Sequence, residues 1–474
     1  MRRYVRSTPL PAAVGEAFAW HDRPGALERL SPPFVPGRVE RRSGGLEPGS
    51  EVVLPLDVGP LRGRLAPRWI ARHTVYEPPA DPVSGRGEFV DVQARGPFAS
   101  WTHRHRFEPD GRGRSVLIDD VAYRLPLGRL GELVGGPFVR RRLSRMFAHR
   151  HRVTAGDLAA HAAAGAKGVT PMHIAVTGST GLIGEALIAY LTTGGHTVTR
   201  IVRRPREGAI TWDPDAGGID PEDLRGLDGV VHLAGEPIAS GRWTTAQKRR
   251  IHRSRAEGTR ILAEAIAALG DDAPAVLVSA SGINFYGDGG DEELSEDHPP
   301  GDDFLARVCV DWEAATRAAQ KAGVRVVNVR TGIVQSRQGG ALAKQLPLFK
   351  AGIGGRLGRG DQWMAWVSLD DVVGLYHHAL TTPEVQGPLN ATGPAPVTNA
   401  AYTRILGRVL RRPTVLPIPR FGPRLVLGRE MADLLLFASL RVVPTLAERT
   451  GYTFRHPTLE GCLRAVLGRP EDPA

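Results

Sequence analysis

The stretch HIAVTGSTGLIGEALIAYL, residues 173–191, restricts the possible folds more than any other part of the chain. A short apolar run meets three glycines, and these lead directly into a segment with helical apolar spacing. Gly178, Gly181 and Gly184 stand three residues apart. At a strand-to-helix turn, such glycines permit a tight reversal, a close backbone approach to a pyrophosphate and close packing of helix on strand. The free N–H groups and the positive end of the helix then face the phosphates. Thr180, Leu182 and Ile183 lie in the same turn and join the glycines as cofactor-binding positions.

That turn needs a sheet behind it, and the chain supplies one. HTVTRIVR (196–203), GVVHLAG (229–235), AVLVSAS (275–281) and VRVVNVRTG (324–332) follow in order, separated by helical stretches. Apolar strands alternating with crossover helices predict an α/β doubly wound parallel sheet of Rossmann type, with its ligand beyond the carboxyl ends of the strands. An NAD site would place Asp or Glu at the end of the second strand. Arg203 and Arg204 stand there instead, and guanidinium forks suit a 2′-phosphate, so NADP(H) is expected over NAD(H).

A chain of 474 residues exceeds what one core holds, which stops growing near about 250–300 residues. Before Met172 the pattern is different. RRYVRST, SEVVLPLDV, RWIARHTVYE, GEFVDVQARG, SWTHRHRFE and SVLIDDVAYRL read as strands with period-two patterning. Two short helices are expected around Ala12–Trp20 and Pro24–Leu30, and a long one from Leu127 to His161. Ala162–Pro171, AAAGAKGVTP, reads as a linker. The expected domains are therefore 1–161, the linker 162–171, a nucleotide-binding domain 172–387 and a small C-terminal substrate lobe 388–468.

Composition closes several function classes. Two cysteines, Cys309 and Cys462, make no disulfide framework, and the N-terminus lacks the apolar core of a secretory signal, which together point to the cytoplasm. No apolar run reaches the roughly 18 residues of a membrane span. The net charge of +11 favours acidic ligands, yet no nucleic-acid motif accompanies it. Six arginines in residues 138–152 read as a solvated helix face whose Val139, Leu143, Met146 and Phe147 stripe packs on the sheet. His103 and His105 share one side of a strand as metal ligands do, but without a third ligand in view they are assigned a structural role, and no metal site is expected.

The order of strand, two helices, antiparallel strands and a long final helix resembles the START-like helix-grip (polyketide cyclase/lipid-transport) family. The resemblance implies an α+β domain in which a curved sheet wraps the helix around a hydrophobic-ligand cavity. Trp69, Phe89, Trp101 and Phe107 could equally fill that space. From Met172 onward, the glycine turn, HLAGEPI, SRAEGTR, SASGINFYGD, DFLARVCVDWE, VRTGIV and WVSLDDV together resemble the extended short-chain dehydrogenase/reductase superfamily. More narrowly they are similar to its epimerase-like subfamily with a C-terminal domain of unknown function.

This second resemblance implies that Leu233, Ala234 and Gly235 line the adenosine–pyrophosphate edge of the cofactor, with Glu236 and Arg255 as polar neighbours and Arg330 near the nicotinamide. It also implies a homodimer and a YxxxK pair of tyrosine and lysine for proton transfer. The pair is missing: Phe304 or Leu305 holds the tyrosine place, and Val308 or Cys309 the lysine place. Ser281 and Tyr286 are the substitutes, Ser281 at the family's serine position and Tyr286 as the proton donor, with Asp288 and Asp291 in a nearby acidic loop. Trp363 and Trp366 are apolar walls of a substrate site or core residues. The expected function is an NADP(H)-dependent oxidoreductase or nucleotide-sugar-epimerase-like enzyme acting on a small molecule, fused to a hydrophobic-ligand module. The alternative is an inactive NADP(H)-binding regulator or scaffold.

Overall fold

The computed structural model describes residues 1–35, 39–55, 67–214 and 218–469. Leu56–Val58, the end of one expected strand, fall outside them.

The N-terminal strands form one antiparallel sheet because their side chains alternate. Ser100–Pro109 (β6) and Ser115–Arg124 (β7) bury every second residue, as a sheet with one covered face requires. The remaining strands are β1 (Arg2–Leu10), β2 (Arg41–Ser43), β3 (Glu51–Pro55), β4 (Arg68–Glu77) and β5 (Gly87–Arg95). Their order is β1-β7-β6-β5-β4-β3-β2. Helices α1 (Val14–Asp22) and α2 (Ala26–Leu30) join the first strand to the second, and α3 (Gly128–Ala166) covers the inner face. Leu143 and Phe147 of α3 are buried against Trp101, Val121 and Tyr123, so the arginine-rich segment packs through its apolar stripe as expected. Phe89, Trp101 and Phe107 are buried and Trp69 lies edge-on to Trp101 at 4.8 Å, so the aromatic side chains fill much of the space under the helix.

Two boundaries differ from the sequence reading. The helix runs through Ala162–Ala166 and ends only where Gly168 takes φ +87°, so half of the expected linker is helical. Three consecutive alanines are strong helix formers, which outweighs the single Gly165. The second sheet extends beyond residue 387, because Gly387–Ala391 forms its edge strand.

That sheet is entirely parallel. It is built from β8 (His173–Val176), β9 (Thr197–Val202), β10 (Ala209–Thr211), β11 (Gly229–His232), β12 (Val276–Gly282) and the strands Arg325–Thr331 and Gly387–Ala391, in the order β10-β9-β8-β11-β12-325-387. Ile174, Val176, Val231, Val278 and Val327 are buried because helices cover both faces. The switch in strand order falls between β8 and β11, where such sheets bind ligands.

The two bodies are joined by buried charge. Arg29 on α2 donates through Nε and Nη2 to Asp157 on α3, both at 2.8 Å, and through Nη1 to Asp370 at 3.0 Å. Arg455, from the C-terminal region, donates to Asp157 at 2.5 Å. Of the aspartates in WVSLDDV, Asp370 thus holds the bodies together, while Asp371 accepts the N–H groups of Arg455 and His456. Ser368 caps the following helix. Among the described residues no helix is long and apolar enough to cross a membrane.

Candidate functional site

The glycine turn sits between the end of β8 and helix α4 (Leu182–Thr193). Gly178 has φ +62°, and a Cβ there would stand 2.7–2.9 Å from the backbone of Leu233 and Ala234. Gly184 lies in the first turn of the helix, where a Cβ would come within 2.3 Å of the Gly178 carbonyl oxygen. Only glycine permits that approach. Gly181 caps α4 with extended backbone and no side-chain cap, leaving the first-turn N–H groups of Leu182 and Ile183 for a ligand.

Thr177, which the sequence reading passed over, ties this turn to the loop after β11. Its Oγ1 accepts the N–H groups of Leu233 (2.9 Å) and Ala234 (3.1 Å). Its own proton therefore goes to His232 Nδ1, 2.9 Å away. Burial pushes His232 down to about 4, so that nitrogen is free to accept. A threonine directly before the first glycine was the available signal. On the other flank, Arg200 of β9 donates to the Ser179 carbonyl at 2.8 Å and fixes the turn from beneath. Arg203 and Arg204 follow at the carboxyl end of β9, exposed.

The residue set fits a dinucleotide: a backbone cradle closed to any side chain, an uncapped helix N-terminus, and cations at the edge where a ribose phosphate would lie. Glu236 and Arg255 serve the neighbouring loop. Arg255, on α5 (Thr245–Ala268), donates to the Glu236 carbonyl at 2.9 Å and lies over Trp312 at 4.9 Å. The Glu236 N–H donates to Ser254 at 3.0 Å. Both residues shape the loop that carries Leu233, Ala234 and Gly235.

Beyond the ends of β12 and the strand Arg325–Thr331 lies a buried polar network. Ser281 Oγ donates to Glu313 Oε1 at 2.7 Å. Glu313, on α6 (Phe304–Ala314), also receives both prongs of Arg330, at 2.8 and 2.9 Å. Arg330 Nη1 donates to the Tyr286 hydroxyl at 2.9 Å, and that hydroxyl donates to Asn390 Oδ1 at 2.7 Å. The Arg330 guanidinium lies 3.4 Å from the Phe285 ring centroid.

Two of the expected site residues lie inside this network. Tyr286 does not present a free phenol: its one proton is held by Asn390, its oxygen accepts from Arg330, and burial pushes its pKa up to about 12. The Arg330 guanidinium is shared among Glu313, Tyr286 and the Glu296 carbonyl. Ser281 remains at the strand end, now with Glu313 as a partner that YxxxK reasoning did not point to. Leu305, Val308 and Cys309, at or beside the vacant tyrosine and lysine places, are buried, and burial pushes the Cys309 thiol up to about 12. Asp288 and Asp291 are occupied as acceptors for the Ser439 N–H and the Trp363 indole. Trp366 is wholly buried in the core.

A cleft of about 520 Å³ lies between the two bodies. Arg29, His149, Arg152, Leu182, Arg200 and Asp370 are among its lining residues, so it reaches the glycine turn and is charged.

Comparisons with known proteins agree with this geometry. The NAD dependent epimerase/dehydratase family matches residues 174–391, and a domain of unknown function (DUF1731) matches 418–466. An epimerase family protein of Mycobacterium bovis is 44% identical over 299 residues, 63% of this chain and 98% of its own length. The crystal structure described as a nucleoside-diphosphate sugar epimerase from Corynebacterium glutamicum has a TM-score of 0.76 at 34% identity, covering 98% of this chain and 90% of that one. The human epimerase family protein SDR39U1, solved with NADPH, has a TM-score of 0.58 at 36% identity over 62% of this chain and 99% of its own.

Proposed function

The chain belongs to the NAD dependent epimerase/dehydratase family, and on that premise we propose that it is an NADP(H)-dependent oxidoreductase or epimerase acting on a nucleoside-diphosphate sugar. The observation that carries this reading is the glycine cradle at the α4 N-terminus with Arg203 and Arg204 exposed at the adjoining strand end. The NADPH in the human relative supports the choice of cofactor, and the description of the Corynebacterium relative supports the substrate class.

When bound, the nicotinamide supplies hydride exchange. The chain's own residues do the rest. Gly178, Thr180, Gly181, Leu182, Ile183 and Gly184 form the phosphate cradle, with Leu233, Ala234 and Gly235 along its adenosine edge. Ser281 meets the substrate oxygen, and Glu313, held by Arg330, fixes the direction of the serine proton. Tyr286 is a positioning residue that keeps Arg330 in place. The N-terminal body is a helix-grip domain of START-like type, a reading supported by its seven-stranded antiparallel sheet covered by α3. Its inner space is largely filled by aromatic side chains, so its ligand is placed in the charged cleft between the bodies instead of an apolar cavity.

Titration of the full chain with NADPH and NADH tests the cofactor. The double variant Arg203→Ser, Arg204→Ser should weaken NADPH by roughly 10- to 100-fold, one or two charged hydrogen bonds, and leave NADH unchanged. Equal affinity of the wild type for both cofactors would remove the NADP(H) assignment.

A second reading has its own observation. With apolar or neutral side chains in both places of the missing pair, the chain would bind NADP(H) as a regulator or scaffold without turnover. Deuteride transfer from labelled NADPH to the keto forms of nucleoside-diphosphate sugars, or from carbon-deuterated nucleoside-diphosphate sugars to NADP+, separates the readings. Transfer that is lost in Ser281→Ala supports the enzyme, and tight binding with no transfer supports the regulator.

A further inference from the structure

The inner face of the N-terminal sheet carries a cluster that the proposed reaction does not use. Asp91 on β5 pairs across the ladder with His103 on β6, and His105, two residues on, pairs with Asp119 on β7. All four side chains therefore project from neighbouring positions of three adjacent strands into the space under α3. His103, His105 and Asp119 are more than nine-tenths buried, and Asp91 is the most accessible of the four.

One carboxylate oxygen lies behind both histidines, hydrogen-bonded to His103 and in close ionic contact with His105. Asp119 Oδ1 lies 2.9 Å from His103 Nε2 and 2.6 Å from His105 Nδ1. Its other oxygen, Oδ2, is 2.7 Å from His151 Nε2 on α3, whose Nδ1 is bonded to Thr8 at 2.8 Å. With the rear nitrogens of His103 and His105 facing a carboxylate, their front nitrogens are left to face Asp91. His103 Nδ1 is 3.1 Å and His105 Nε2 is 3.5 Å from Asp91 Oδ2.

Those separations bracket the edge of a tetrahedron with metal–ligand bonds of about 2.0–2.1 Å, which is about 3.3–3.4 Å. The ligand atoms of all three residues lie within 4.8 Å of one another. A carboxylate behind each metal-binding imidazole is also the usual outer arrangement, because it fixes tautomer and ring orientation. Two further observations favour a cation. Asp119 is buried and Asp91 partly so, and a divalent ion beside them would share their negative charge with the imidazoles. His73, the ladder partner of Asp91 on β4, is buried with Nδ1 lacking any hydrogen-bond partner. Phe89, stacked on His105 at 4.1 Å, and Phe147, edge-on to His103 at 5.1 Å, give the cluster apolar walls.

We propose that Asp91, His103 and His105 form a binding site for a divalent first-row transition ion, with Asp119 orienting both histidines from the outer shell. Two nitrogens and one carboxylate oxygen suit zinc or ferrous iron over calcium or magnesium, which prefer oxygen ligands. The site lies in the N-terminal body and is independent of the cofactor reading.

The test uses the full chain, purified without a polyhistidine tag and stripped with a chelator. Titration with Zn²⁺ and, anaerobically, Fe²⁺ separates the two ions, and crystals soaked in Zn²⁺ locate the site by anomalous scattering. We expect one ion between Asp91 and the two histidines, with a Kd of about 1 µM or tighter for at least one metal. Asp91→Asn and His105→Gln should each weaken binding at least about 10-fold, and Asp119→Asn by about 10- to 100-fold. His161→Gln, in a second convergent group with His196 and His377, should leave it unchanged. No binding tighter than about 100 µM overturns the proposal. So does an ion located at His161, His196 and His377, or affinity unaltered in both Asp91→Asn and His105→Gln. If those variants fail to fold, the anomalous peak in the wild type decides.

Discussion

Replacing Gly184 by alanine adds one methyl group at the place where helix and glycine turn are closest. The new Cβ would lie 2.3 Å from the Gly178 carbonyl oxygen and 3.0 Å from Ser179 Cα. Neither side yields readily. The turn is held by Arg200 on the Ser179 carbonyl and by Thr177 on the Leu233 loop, and α4 is anchored by Leu187 and Leu191, both fully buried. Close-packed interiors do not compress, so turn and helix must part by about 0.7–1 Å. Overpacking of this kind costs about 1–3 kcal/mol, partly offset by about 1 kcal/mol of helix propensity gained when glycine becomes alanine. The fold should survive. The phosphate cradle should not, because a shift of that size misaligns one or two charged N–H bonds worth about 1.5–3 kcal/mol each. Dissociation of NADPH, followed by its fluorescence, should rise by roughly 10²- to 10³-fold. Gly181→Ala serves as the graded control: its Cβ would stand 3.2 Å from the same oxygen at a negative φ, and the loss should stay within about tenfold. A folded Gly184→Ala protein that binds NADPH within threefold of wild type would refute the cradle.

Asp157→Asn should destabilise the junction of the bodies by about 3–5 kcal/mol, since Arg29 and Arg455 stay buried with Asp370 as their remaining carboxylate; thermal melts read the loss. Burial alone would raise Asp157, but Arg29 and Arg455 hold its pKa below the ordinary range, so its contribution is complete above pH about 4 and is lost as pH falls through the folded value. The melting difference between wild type and Asp157→Asn should therefore be constant near neutrality and shrink in acid; a difference that grows in acid would contradict the assignment. Tyr286→Phe should cost about 1–3 kcal/mol by leaving Asn390 and Arg330 short of a partner, while NADPH affinity stays unchanged. Thr177→Val removes the acceptor for the Leu233 and Ala234 N–H groups and should weaken NADPH about tenfold in the same titration, with a smaller effect on melting.

What the sequence by itself determined was local and periodic. Glycines at 178, 181 and 184 between an apolar strand and an apolar-periodic helix specify one turn geometry, and the repeated strand–helix alternation after it specifies a parallel sheet. Period-two alternation before Met172 likewise specified an antiparallel sheet with one covered face. Tertiary structure decided everything that depends on partners far apart in the chain. Tyr286 looks like a spare phenol until Asn390, 104 residues on, takes its proton. Arg330 is placed in the sequence by its strand end alone, and only the fold brings Glu313 to both its prongs. His103 and His105 lack a third ligand in their own strand because Asp91 and Asp119 come from the strands on either side. Spacing along one element sets which way side chains point, but the charge and hydrogen-bond partners of a buried polar group come from whatever the fold packs against it.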